Sequence, residues 1–216
     1  NQVGGAFYYS SQEPRIVVHY AKLLEFKGAI DFAEQYAKDA RTDFHQMAAD
    51  IVGVPRKQAK DINLGLFYGM GTRKLANQLD LEVKGVIRTL LGRKCRFDKW
   101  EPTKYGSFKP QTYKDAYAEH GPSIKRAFTY KALNKLVQGS AADQTKASMV
   151  ALQKNGILPM IQVHDELDIS VESEEQARQI TEIMETCVDL EVPSVVDAEF
   201  GKSWGEAKKP LAEVKF

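Results

Sequence analysis

The stretch Ile161 to Ser170, IQVHDELDIS, sets His164, Asp165 and Glu166 side by side inside an otherwise strand-like pattern. Neighbouring residues on a strand point to opposite faces, so in a continuous strand one of these acids would be buried. That is costly unless the acid binds a metal, pairs with a cation or lies at a turn. If VHDEL is the tip of a hairpin with arms MIQV and LDISV, both carboxylates can reach one surface, and hard oxygen ligands of that kind suit Mg²⁺. The plain alternative is a solvated hairpin tip.

A second pattern follows Pro55, in RKQAKDINLGLFYGMG. Arg56, Lys60, Leu64 and Tyr68 recur every four residues and form a helical stripe about 18 Å long. Cations occupy its amino end, where free N–H groups and the helix dipole already favour an anion, and an apolar residue and an aromatic ring lie beyond. Phosphate at one end and a base at the other is the ligand this order suits; an amphipathic surface helix is the bland reading. A third pattern places Asn134 and Gln138 one helical turn apart beside Gly139, Ser140 and Ala141. Side-chain amides suit the minor groove, where every base pair presents acceptors, and small neighbours admit a duplex. Solvated amides on a helix are the ordinary alternative.

The elements that must position these residues follow an α/β periodicity without internal repeats. The sequence predicts a strand over Gly5 to Ser10, a helix beginning near Pro14, a second over Asp43 to Ile51 and a third from Pro55 to about Phe67. Gly92 to Pro122 reads as loop and short helix. A long helix is expected from Ser123 to Lys154, with Leu133, Val137, Ala141, Thr145 and Met149 on one side and Gly156 as its stop. Ser173 with Gln176 forms a capping-box signature for a helix ending near Leu190, and a last strand covers Ser194 to Phe200.

With 216 residues, 43% of them hydrophobic, the chain is long enough to bury a core as one domain or two small ones. It shows no apolar run of membrane-spanning length and no signal-peptide layout, which points to an intracellular, cytoplasmic protein. Cys95 and Cys187 stand far apart and form no metal-like cluster. A net charge of +1 makes no general statement about nucleic acid. Basic residues nevertheless cluster, at Arg56, Lys57 and Lys60, at Arg73 and Lys74, at Arg93, Lys94 and Arg96, and at Lys125, Arg126, Lys131 and Lys135.

Taken in order, YSSQEPRIVVHYA, RKQAKDINLGLFYG, QGSAAD, QVHDE and VVDAEFGKSWGE resemble the polymerase module of family A DNA polymerases, the bacterial DNA polymerase I group, and most closely its phage members. The resemblance implies an α+β right-hand architecture, a palm with a small antiparallel sheet interrupted by helical fingers. Residues 1–25 and 123–216 would be palm and 26–122 fingers. It implies template-directed DNA synthesis by two-metal nucleotidyl transfer, with Asp165, the backbone carbonyl of Tyr9 and the residue at position 8 around two Mg²⁺ ions, and Glu166 beside them. Arg56 and Lys60 would grip the triphosphate of the incoming dNTP, Lys60 also protonating the leaving pyrophosphate. Tyr68 would stack at the template base, Leu64 would stand where the family usually has Phe or Tyr, and Glu13 would exclude a 2′-hydroxyl. His164, Arg15, Asn134 and Gln138 would hold primer–template DNA. The thumb and any proofreading exonuclease domain would belong to the same polypeptide outside this stretch, and a phage-encoded enzyme would work in the bacterial host cytoplasm.

Two departures stand out. Position 8, where the family has a metal-bridging Asp, is Tyr8, and a phenol with an ordinary pKa near 10 is neutral at pH 7. Between LANQLDLE and VIRTLLGRK the family's further fingers helices are absent, near Glu82 to Gly85. A catalytically dead primer–template binding module is therefore the competing reading. A metal-dependent nuclease is a third, disfavoured because a nuclease needs no helix for a free triphosphate.

Overall fold

The computed structural model describes residues 2–25, 28–59 and 81–216. The chain divides into two compact units, one formed by Asn1–Met47 with Ser140–Phe216, the other by Ala48–Gly139.

The first unit is built on four antiparallel strands: β1 (Val3–Tyr9), β6 (Ile161–Val163), β7 (Glu166–Val171) and β8 (Val196–Gly201), in the order β6-β7-β1-β8. Alternation gives the sheet two unlike faces. On one, Phe7, Tyr9, Leu167, Ile169, Val171, Val196 and Phe200 are buried, packed with Ala177, Ile180, Met184 and Leu152. Phe7 and Phe200 meet edge to face at 5.6 Å. On the other, the directly paired residues Glu166, Tyr8 and Asp197 form one row across three strands, and Asp168, Ala6 and Glu199 form the next.

After β1 the chain forms α1 (Gln12–Leu23), α2 (Ala29–Lys38), which packs on α1, and α3 (Phe44–Val52), whose residues divide between the two units. In the second unit the chain continues through α4 (Leu81–Lys84), β2 (Val86–Arg88), β3 (Lys94–Arg96), β4 (Trp100–Pro102), α5 (Tyr113–His120) and β5 (Ile124–Arg126). It then enters α6 (Ala132–Lys154), which passes into the first unit, where α7 (Glu174–Thr186) completes the set. The strands β2 and β3 form a hairpin, and β4 pairs with β5.

Several sequence expectations shift. The long helix starts at Ala132 rather than Ser123, because Ile124–Arg126 pairs as a strand and Phe128 turns the chain at φ 63. Gly92 to Pro122 contains the strands β3 and β4 as well as α5. Strands of three residues are too short for alternation to register, and their pairing is decided by partners elsewhere in the chain. Helix α1 starts at Gln12, with Pro14 in its first turn where its missing N–H costs nothing. The capping box holds: Ser173 Oγ accepts from Gln176 N at 3.1 Å, and Gln176 Oε1 accepts from Glu172 N at 2.8 Å.

The buried side of α6 is less apolar than its sequence stripe predicts. Ser140, Gln144 and Ser148, each one turn from the next, are buried along with Ala141 and Thr145. They are satisfied by α1 and β1: Gln12 Nε2 donates to Gln144 Oε1 at 3.1 Å, Tyr20 OH lies 2.8 Å from Ser140 Oγ, and Tyr9 OH lies 2.6 Å from Ser148 Oγ.

Candidate active site

His164 and Asp165 are the two residues of the turn between β6 and β7, closed by the Val163 and Glu166 pair. His164 takes a left-handed conformation at φ 53, which such tight turns require. The turn lies against the end of β1: Tyr9 N donates to the Asp165 carbonyl at 3.4 Å. Both acids are half-buried and His164 is exposed, so the turn does what the sequence asks of it and frees adjacent acids from the opposite-face rule.

Tyr8, flanked by Glu166 on β7 and Asp197 on β8, is half-buried. Burial pushes its phenol above the ordinary value, Glu199, Asp197 and Glu166 push it further, and Arg41 partly offsets them. The side chain at position 8 is therefore a neutral phenol at pH 7. Asp197 is held by Arg41 Nη1 at 2.6 Å. Glu166 Oε1 accepts a hydrogen bond from Trp204 Nε1 at 2.7 Å. Two residues along β7, Asp168 is only 7% exposed, and among the described residues neither of its carboxyl oxygens has a hydrogen-bond partner. Burial, then the charge and carboxyl of Glu166, push it up to about 6. A hollow of about 380 Å³ on this face is lined in part by Ala6, Asp168, Ser170, Lys202 and Trp204.

The other expected site residues are placed as follows. Glu13 is half-buried at the start of α1. Arg15 is turned inward: it is 3% exposed, donates to the carbonyls of Ser10 (2.8 Å), Pro193 (2.6 Å) and Ala40 (2.6 Å), and stacks on Tyr36 at 4.6 Å. Its guanidinium braces the first unit and is withdrawn from the surface. In the second unit Arg56 is exposed in a helical stretch over residues 56–59, and Asn134 and Gln138 lie one turn apart on α6, the first half-buried and the second exposed. Lys60, Leu64 and Tyr68 lie outside the described residues. Sequence reasoning missed Arg41, Asp168, Asp197, Glu199 and Trp204. The alternation in ELD and DAE, which puts acids on one face two residues apart, is the signal that would have found four carboxylates on the polar face.

The sequence model of DNA polymerase family A matches residues 80–206, more than half of the chain. The chain belongs to DNA polymerase family A. It is 33% identical to a DNA-directed DNA polymerase of Pseudomonas phage M6, over 92% of this chain and 38% of that protein. It is 30% identical to DNA polymerase I of Geobacillus stearothermophilus, over 93% of the chain and 26% of that enzyme. Among solved structures it is similar to the POL domain of Pol1 from M. smegmatis in complex with DNA primer-template and dNTP, with a TM-score of 0.64 and 25% identity, over 95% of this chain and 40% of that one. The chain thus spans between about a quarter and two-fifths of these family A relatives. The alignment to the phage polymerase runs over 270 positions, more than the 216 residues of the chain, so that family member carries internal sequence absent here. The α+β class with small antiparallel sheets agrees with the family. No described helix is long and apolar enough to cross a membrane.

Proposed function

We propose that this chain is the palm and fingers part of a template-directed DNA polymerase whose nucleotidyl transfer is impaired by Tyr8. The observation that carries this reading is the placement of the Asp165 turn against the end of β1, with Tyr8 between Glu166 and Asp197. On this reading residues 1–25 and 123–216 are the palm and residues 26–122 the fingers. Primer–template DNA and a dNTP are the partners, and the cytoplasm of a bacterial host is the place of action for a phage-type enzyme. A solved relative bound to primer-template and dNTP supports this choice of ligands.

On this reading Asp165 and the Tyr9 carbonyl are the metal ligands, with His164 at the primer end and Asn134 and Gln138 toward the duplex. Arg56 and Lys60 attract the triphosphate, Lys60 supplies a proton to the leaving group, and Leu64, Tyr68 and Glu13 shape the sugar and base pocket. Two Mg²⁺ ions fit this donor set poorly. Position 8 offers a neutral phenol, and among the described residues no group of three His, Cys, Asp or Glu side chains could hold a metal ion. Binding by the cations therefore outlasts chemistry. The specific observation favouring the second reading, a primer–template binding module without catalysis, is the same neutral Tyr8.

Single-turnover primer extension by Tyr8→Asp against the unaltered protein, each in the full-length polypeptide, separates the two. Restoring a carboxylate is expected to raise the rate at least about a hundredfold, the scale of one major electrostatic element, while dNTP affinity changes far less. No gain in rate would remove the polymerase reading of position 8.

A further inference from the structure

Glu166 stands between like-charged neighbours: Asp168 two residues along the same face and Asp197 in the same row beyond Tyr8. A carboxylate so placed has every reason to swing into solvent unless a donor holds it. Among the described contacts, the donor is the indole of Trp204, whose N–H reaches Glu166 Oε1 at 2.7 Å although the ring is 55% exposed and water is available to it.

The ring is brought there by the way the segment after β8 folds back over the polar face. A Cβ on Gly201 would come within 2.3 Å of the Glu206 carbonyl oxygen, and one on Gly4 would meet the Gly201 oxygen at 3.4 Å. A Cβ on Gly4 would be in ordinary contact, so it is the missing side chain of Gly201 that lets the short 3₁₀ turn Trp204–Glu206 lie directly on the sheet. Reciprocal bonds between Phe200 and Lys209, at 2.8 and 3.1 Å, pin the returning chain. In the run FGKSWGEA, Gly201 is the position whose missing side chain seats the turn that aims the Trp204 N–H.

We infer that Trp204 is a positioning residue, which through its indole N–H fixes the carboxylate of Glu166 beside the Asp165 turn. The inference rests on the reading of that turn as the catalytic one, but the contact itself can be measured without catalysis. In the chain as it stands, the Trp204 indole N–H resonance, identified by its loss in Trp204→Phe, is expected to move upfield in Glu166→Ala and to stay in place in Glu174→Ala, on the far helix α7. Gly201→Ala, which must lift the turn, is expected to reproduce the shift with Glu166 intact. An indole resonance indifferent to Glu166→Ala overturns the proposal.

Activity gives the second test, in the Tyr8→Asp background. Trp204→Phe is expected to slow single-turnover extension about tenfold, the scale of one oriented hydrogen bond to a charged group, with primer–template affinity unchanged. Combined with Glu166→Ala it is expected to add less than about twofold, because a residue acting through another has nothing left to act on. Equal penalties with and without Glu166 would make Trp204 a merely structural residue and overturn the proposal. If Tyr8→Asp extends no primer at all, the polymerase reading fails, and the resonance shift alone decides whether Trp204 fixes Glu166.

Discussion

At Tyr8 and Asp168 burial and like charge act in the same direction and give different outcomes, because the two side chains start from different acidities. A phenol pushed upward is simply more firmly neutral. A carboxyl pushed up to about 6 is moved into the range where it titrates near neutrality. For Asp168 the sign is fixed by linkage: the folded state holds the proton more tightly than the unfolded chain, whose Asp titrates near 4. Its favourable contribution is complete below about pH 4, is lost as pH rises through about 6 and is absent above that. Asp168→Asn, neutral throughout, is expected to stabilise the protein at pH 8 by about 1 kcal/mol, a figure reduced for nearby water, and to leave it nearly unchanged at pH 4. Urea unfolding at both pH values checks this; an equal gain at each would show that packing and not charge is responsible.

Helix α1 is held to the sheet by polar contacts to a degree its sequence hides. Gln12 bonds to α6, and Arg15 ties α1 to the end of β1, to the loop after α2 and to the segment before β8 through Ser10, Ala40 and Pro193. Removing the guanidinium leaves three carbonyls without that donor and an empty place over Tyr36. Arg15→Met is expected to cost about 3 kcal/mol or more. If Arg15 served the DNA instead, the substitution would weaken primer–template binding with little change in the unfolding midpoint, so denaturation and binding curves on the same sample discriminate between the two roles.

For the whole molecule, the share of its relatives that the chain spans sets what it can do alone. Duplex affinity comes largely from phosphate contacts spread over a long surface, each releasing counterions. If the chain acts as proposed, spanning 38% of its phage relative, it is expected to bind primer–template DNA at least about tenfold more weakly than a full-length family A polypeptide, with a shallower dependence of log affinity on log salt. Fluorescence anisotropy titrations at several salt concentrations would show this. Equal slopes would mean that this chain already contains all the phosphate contacts.

The hairpin turn at His164 and Asp165, the two-faced strands, the capping box of α7 and the family itself were legible in the sequence, because each rests on a short-range rule: alternation, turn chemistry, a fixed spacing or an ordered set of short motifs. Tyr8 could be read as an anomaly in the same way. Its neighbours could not, since Glu166 lies 158 and Asp197 189 positions away and only strand register puts them on either side of it. The inward turn of Arg15 was equally hidden, for its acceptors come from three separate segments, and an arginine reads as a surface cation until a structure supplies carbonyls to bury it. The tertiary structure alone decided which polar groups meet, because pairing across a sheet is set by packing of the opposite, apolar face, and the polar side chains take whatever partners that packing brings.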